Sequence, residues 1–156
     1  MESKPRTNPF VKETHPIEYF ETELSLTLSN PEATQEEIAK AYCTMGNVYR
    51  WKEIFEKALP NYEQALKIYK AIGNKVAEGD TYLFMGKAFA LAGKYEKAIE
   101  SFEKAFQTVK EALGYYEKRN AEIRFNQGNA YQNLGDYPQA ISFYLEFLEI
   151  ASKAYE

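Results

Sequence analysis

One pattern of residues occurs three times along the 156-residue chain, and it limits the possible folds more than any other feature. Each copy places a glycine near aromatic residues and continues twelve residues later with alanine and a further aromatic residue. The copies are Tyr42, Met45, Gly46, Tyr49, Ala58, Tyr62 and Ala65; Tyr82, Met85, Gly86, Phe89, Ala98, Phe102 and Ala105; and Gln127, Gly128, Tyr131, Ala140 and Tyr144. The glycines are 86 − 46 = 40 and 128 − 86 = 42 residues apart. Such a period is typical of helix–turn–helix units that stack into a solenoid.

Helix signals divide the chain into a capping helix, three repeats and an N-terminal arm. Thr34 and Glu37 form a capping box that begins the first helix of the first repeat. Gly73 follows the second helix, as is typical of a helix C-cap. We therefore predict a domain over 17–156, with a capping helix over 17–28 and repeats over about 35–73, 76–114 and 117–156. Residues 1–16 contain three prolines and no helical period, which predicts a flexible arm.

The repeated pattern resembles that of tetratricopeptide repeat proteins over about residues 39–156. The spacing of 40 and 42 residues resembles the longer repeats of kinesin light chains and Pins-type G-protein modulators. This resemblance implies an all-α fold, a right-handed α-solenoid of three repeats with an N-terminal capping helix. Three positions depart from the pattern: Glu53 replaces a turn glycine, Arg124 an aromatic residue and Phe147 a small residue. The first of these predicts that the turn of the first repeat differs from the other two.

The resemblance also implies that a partner binds in the concave groove lined by the first helix of each repeat. Residues three before, one after and four after each repeat glycine share a helix face. These residues and their neighbours give the candidate groove set: Asn47, Arg50, Leu83, Phe84, Lys87, Phe125, Asn126, Asn129 and Gln132. Asn47 and Asn129 can donate to and accept from a peptide backbone, and Lys87 favours an acidic segment. A solvated polar helix face is the alternative interpretation.

Composition and charge exclude several other classes of function. The net charge is −4 without a basic run, so we expect no nucleic-acid binding. No apolar run approaches the roughly 20 residues of a membrane span. The single histidine, His15, and the single cysteine, Cys43, form no metal-ligand set and no paired nucleophile. We expect no cofactor, no metal and no enzymatic activity, and a cytoplasmic location.

These features indicate a protein-interaction module, an adaptor or assembly scaffold that binds an extended peptide or helix. Two alternatives stay open: a small chaperone or assembly factor acting as a dimer, and a structural homo-oligomer whose groove holds residues 8–11 of another copy. The last predicted helix carries Ile141, Leu145 and Leu148 with no helix after it in this sequence. Because the terminal unit of a solenoid exposes an apolar face, this predicts either a homodimer through the C-terminal helix or a longer repeat array.

Overall fold

The computed structural model describes residues 16–156, and those residues form seven α-helices and no β-strand. In chain order they are α1 (Ile17–Ser29), α2 (Gln35–Trp51), α3 (Phe55–Ile72), α4 (Lys75–Leu91), α5 (Tyr95–Leu113), α6 (Lys118–Asn133) and α7 (Tyr137–Ala154). The predicted arm lies outside the described residues except for Pro16, and so does the segment 8–11.

Each helix packs mainly against its neighbours in the chain, which makes the fold a solenoid. The pairs α2–α3, α4–α5 and α6–α7 form the three repeats, and α1 packs against α2 and the first core through Ile17, Phe20 and Leu24. The first helices α2, α4 and α6 also contact one another in order. Their exposed sides therefore form one continuous surface, which we call the groove face. The all-α solenoid predicted from the repeat pattern is confirmed.

The three repeat glycines lie where two helices of a pair approach most closely. A Cβ atom on Gly46 would lie 2.6 Å from the Tyr62 ring, and one on Gly86 would lie 2.4 Å from the Phe102 ring. Gly128 has the same relation, at 2.5 Å, to Tyr144. No side chain fits at such distances. The repeat therefore requires glycine for space, although glycine costs about 1 kcal/mol in a helix interior.

The turn inside the first repeat does not differ from the other two, so the prediction based on Glu53 was wrong. Glu53 adopts the left-handed conformation, with φ 61°, that Gly93 and Gly135 adopt in their turns. The following amide, that of Ile54, donates to the Tyr49 carbonyl at 2.9 Å. The corresponding bonds in the other repeats measure 2.9 and 3.0 Å. The packing of α2 on α3 thus holds an ordinary residue in a backbone conformation that favours glycine.

Arg124 replaces the aromatic residue of the third repeat by stacking rather than by leaving a gap. The side chain is 9% exposed, and its guanidinium carbon lies 3.4 Å from the centroid of the Phe106 ring. Its Nη1 donates to Glu103 at 3.0 Å and its Nε lies 2.8 Å from a Glu146 carboxylate oxygen. A planar guanidinium can cover an aromatic face in this way. Arg124 therefore joins α5, α6 and α7.

Candidate partner-binding groove

A hydrogen-bonded cluster at the first repeat positions two of the predicted groove residues. Tyr62, which is buried on α3, donates through its hydroxyl to Asn47 Oδ1 at 2.6 Å. Arg50 donates from Nε to the Tyr62 hydroxyl at 3.1 Å and from Nη2 to Asn47 Oδ1 at 3.3 Å. Burial raises the pKa of Tyr62, so the hydroxyl stays protonated and remains a donor. Asn47 and Arg50 are therefore held in fixed orientations at the groove face.

The Arg50 guanidinium lies beside two aromatic rings and has no acidic partner among residues 16–156. Its Cζ is 5.9 Å from the Trp51 ring centroid and 5.8 Å from that of Phe84. Phe84 in turn stacks on Tyr62, with ring centroids 6.2 Å apart. Every other arginine described has a carboxylate within ion-pair distance, whereas Arg50 has none in the described chain. A guanidinium has five N–H donors, so donors of Arg50 remain for another molecule.

The third repeat repeats the cluster without an arginine. Tyr144 donates through its hydroxyl to Asn129 Oδ1 at 2.6 Å, and its oxygen lies 2.8 Å from Gln132 Oε1. Asn129 is half-buried and Gln132 is exposed. In the second repeat, the positions that correspond to Asn129 and Tyr144 are occupied by Lys87 and by Phe102, which has no hydroxyl. The asparagine and the tyrosine hydroxyl are therefore present together in the first and third repeats and absent together from the second.

Two ion pairs cross the groove face between α4 and α6. Lys87 pairs with Glu122, and Arg119 Nε donates to Asp80 at 2.8 Å. Burial raises the pKa of Asp80, although the Arg119 charge acts in the opposite direction. Lys87, which the sequence predicted to attract an acidic partner, already has an acidic neighbour. The sequence prediction missed Asp80, Arg119 and Glu122. The residues of these two pairs are 35 (Lys87 and Glu122) and 39 (Asp80 and Arg119) positions apart in the chain.

The apolar candidates differ in how far they reach the surface. Leu83 is 3% exposed and belongs to the core that α4, α5 and α6 share. Phe84 is half-buried, while Phe125 is 44% exposed and lies beside Phe147, with ring centroids 5.3 Å apart. Asn126 is half-buried and donates from Nδ2 to the Glu122 carbonyl at 2.8 Å. Phe84 and Phe125 are thus the candidates that offer apolar surface.

Cys43 lies beneath the groove face and is not activated. The residue is buried, and burial raises the pKa of its thiol to about 11. A thiol with so high a pKa holds little of the nucleophilic thiolate at neutral pH. Within residues 16–156 no group of three His, Cys, Asp or Glu side chains could hold a metal ion. In that same range no helix is both long and apolar enough to cross a membrane.

The helix pairs, the glycine–ring contacts and the continuous face of first helices define an α-helical repeat protein of the protein-binding solenoid class. The sequence profile of the tetratricopeptide repeat family matches residues 37–111 and again residues 121–154. The chain belongs to the tetratricopeptide repeat family.

Three known proteins show how far the similarity extends. The chain is 30% identical over 109 residues to the 43 kDa receptor-associated protein of the synapse from Gallus gallus. That alignment covers 69% of this chain and spans 26% of the length of the relative. The fold is similar to the crystal structure of the tetratricopeptide repeat domain of Arabidopsis FLU, with a TM-score of 0.71 and 18% identity, covering 77% of this chain and 99% of that one. It is also similar to MamA MSR-1 C2, with a TM-score of 0.63 and 18% identity, covering 88% and 67%.

Proposed function

We propose that this chain is a non-catalytic protein-interaction module that holds an extended segment of a partner protein along the groove face. Membership of the tetratricopeptide repeat family supports a role in binding proteins rather than in catalysis. The name of the chicken relative describes association with a receptor, which also supports a binding role. A fold alone does not define a ligand, so the proposal rests on the chemistry of the groove face.

The observation that carries the proposal is the oriented guanidinium of Arg50, which has no carboxylate partner among residues 16–156. Asn47 and Tyr62 fix its position through the hydrogen bonds described above, so little side-chain entropy is lost when it binds. Arginine suits a carboxylate because its N–H groups match the carboxylate oxygens in geometry. Phe84 supplies apolar surface next to it. The expected ligand is therefore an acidic side chain adjacent to an apolar one.

The other candidate groove residues contact the rest of the partner segment in this proposal. Asn47 and Asn129 use their Oδ1 atoms internally, so in this proposal their Nδ2 groups donate to the partner backbone. Phe125 packs on an apolar side chain, while Asn126 and Gln132 contribute polar contacts. Leu83 supports the groove face from beneath. Lys87 contributes little attraction, because Glu122 neutralises it.

A peptide-selection experiment tests whether Arg50 binds an acidic side chain of the partner. Random peptides displayed on phage are selected for binding to the folded protein, and the affinities of the enriched peptides are measured by fluorescence anisotropy. We expect enriched peptides to carry Asp or Glu beside an apolar residue. Arg50→Gln should weaken their binding about 10- to 100-fold, since a hydrogen-bonded charged pair contributes about 1.5–3 kcal/mol.

The matched control is Lys67→Gln, which removes one positive charge from an exposed position on α3 away from the groove face. It should leave the affinity within about twofold, because surface charges at a distance are screened. Equal losses of affinity in the two variants would show that only net charge matters. Unchanged binding by Arg50→Gln would contradict the proposal that Arg50 binds the partner.

A cytoplasmic location stays a prediction. Fluorescence microscopy of the tagged chain in its own cells tests it.

A further inference from the structure

The outward face of α7 is the most apolar helix surface that the described chain exposes. Tyr137, Ile141, Leu145 and Leu148 are between 58% and 61% exposed. They follow one another at intervals of three or four residues and therefore form one stripe along the helix. We call these four residues the α7 stripe. An exposed apolar strip of this kind marks an interaction site.

The third repeat has lost the charges that the second repeat carries on this surface. Positions of α5 and α7 correspond with an offset of 42 residues, as in Ala98 and Ala140. Five charged residues of α5 become uncharged in α7, while Gln107 is replaced by the exposed Glu149. Glu96, Lys97, Glu100, Glu103 and Lys110 are replaced by Pro138, Gln139, Ser142, Leu145 and Ser152. Charged residues are depleted in the same way at the core of protein interfaces.

The stripe is also not shaped for a further repeat that docks as α6 docks on α5. Ala105 is fully buried beneath α6, and its counterpart in α7 is the larger Phe147, whose ring packs against Phe125. Glu103 binds Arg124 and Gln127 of α6, and its counterpart is Leu145. A helix placed on α7 in the same manner would meet the Phe147 ring and would lose its polar anchor.

We propose that the α7 stripe is the contact surface between two copies of this chain related by a two-fold axis. An uncharged stripe is complementary to itself, and a two-fold contact pairs the same patch on both copies. A net charge of −4 on each copy favours a contact region without carboxylates. Contact with the opposite end of another copy is less favourable, because the outer face of α1 surrounds the exposed Leu26 with Glu18, Glu21, Thr22 and Ser25. The stripe lies on α7 and not on the groove face, so this proposal does not depend on the groove ligand.

Sedimentation equilibrium of the whole chain tests the contact from about 1 μM to 1 mM, the range of a weak to moderate dimer. The wild type should shift from 18.0 kDa towards twice that mass, 36.0 kDa, as the concentration rises. Leu145→Glu restores the residue type of Glu63 and Glu103 at an exposed site, so the helix should tolerate it. We expect this variant to stay at 18.0 kDa with an unchanged circular dichroism spectrum.

Leu26→Glu is the matched control, since Leu26 is 60% exposed on α1 and Leu145 is 61% exposed on α7. It should dimerise like the wild type. A wild type that remains at 18.0 kDa throughout, or a Leu145→Glu variant that still dimerises, would overturn the proposal. Equal loss of the dimer in both variants would also overturn it, because the contact would then not be specific to α7.

A second measurement locates the contact directly. Ser142→Cys places a thiol beside the stripe, and the native Cys43 is buried. On oxidation we expect a disulfide-linked dimer to form at least tenfold faster than with Gln64→Cys, an exposed control on α3. Equal rates in the two variants would contradict a contact at α7 even if a dimer is found.

Discussion

At the scale of single residues, the repeat depends on glycines that are matched to rings sixteen residues later. Gly46 pairs with Tyr62, Gly86 with Phe102 and Gly128 with Tyr144, and each ring occupies the space where a Cβ would lie. The ring thereby lies against the backbone of the first helix. This contact determines how closely the two helices of a repeat approach.

Substituting Gly86 by alanine should therefore destabilise the fold, although alanine is the better helix former. The new methyl would lie 2.4 Å from the Phe102 ring, and overpacking of this kind costs about 1–3 kcal/mol. After the gain of about 1 kcal/mol in helix propensity, we expect the free energy of unfolding in urea to fall by up to about 2 kcal/mol. Gln64→Ala on the exposed side of α3 should change it by less than about 0.5 kcal/mol. A more stable Gly86→Ala would show that the ring can move aside.

Glu53 tests the converse case, in which glycine replaces a larger residue. Its backbone conformation is one that only glycine adopts without strain. With φ at 61°, Glu53 lies in the left-handed region, which costs about 1–2 kcal/mol for a residue other than glycine. Glu53→Gly removes that strain but adds freedom to the unfolded chain. We expect a net stabilisation of about 0.5–1 kcal/mol, measured as a higher midpoint of urea unfolding with an unchanged slope. Lys52→Gly, next to it in a region with negative φ, should destabilise instead.

At the scale of helices, the second and third repeats are joined by a polar cluster around Arg124. Its guanidinium links Glu103 on α5 to Glu146 on α7, and Gln127 of α6 donates to Glu103 at 3.0 Å. Partial burial opposes ionisation of Glu103, but hydrogen bonds from Gln107 and Gln127 and the charge of Arg124 outweigh it, so the pKa of Glu103 is lowered. The cluster should therefore lose strength in acid.

The sign of this pH dependence follows from linkage. Because the pKa of Glu103 in the folded state lies below its ordinary value of 4.5, the ionised carboxylate stabilises the fold above that pH. The contribution is lost as the pH falls through the folded-state pKa. Glu103→Gln should therefore lower the free energy of unfolding at pH 7 by about 0.5–1 kcal/mol, the range of a half-exposed pair. The difference from wild type should shrink as the pH falls from 4.5 through the folded-state pKa.

Glu100→Gln is the control for this experiment. Glu100 lies on the same helix, and within residues 16–156 it pairs only with Lys104 one turn away; its side chain is 67% exposed. It should show a smaller difference from wild type at pH 7. A Glu103→Gln difference that does not shrink as the pH is lowered below 4.5 would mean that shape or hydrogen bonding, not charge, gives Glu103 its role.

At the scale of the whole molecule, the parts that follow a local pattern could be predicted from the sequence. The repeat period and the Thr34 capping box depend on residues at fixed spacing, and the structure confirms both of them. The pairing of Asn47 with Tyr62 also has a fixed spacing of fifteen residues, so the printed sequence held a signal for it.

The ion pairs across the groove face could not be predicted in the same way. They join different repeats, and their geometry depends on the angle between successive helix pairs. For the same reason the sequence could not show that Glu122 faces Lys87, or that no carboxylate of residues 16–156 lies within ion-pair distance of Arg50. Glu53 illustrates a further limit, because packing of α2 on α3 overrides the preference of a single turn residue.

The described chain thus has two surfaces of different chemistry. The groove face carries ion pairs and the Arg50 guanidinium beside half-exposed aromatic rings, whereas the α7 stripe is apolar and uncharged. The two surfaces lie on different helices, so partner binding and self-association should be separable. Arg50→Gln should leave the dimer intact, and Leu145→Glu should leave peptide affinity within about twofold.

The most direct test of the groove proposal is a crosslinking pull-down from native cell extract, quantified by mass spectrometry. It compares the wild type with Arg50→Gln and with the control Lys67→Gln, all shown to be folded by circular dichroism. We predict a partner protein that the wild type and Lys67→Gln capture equally and that Arg50→Gln loses by about tenfold or more. A partner captured equally by all three proteins would contradict the central claim, because it would place the binding surface away from Arg50.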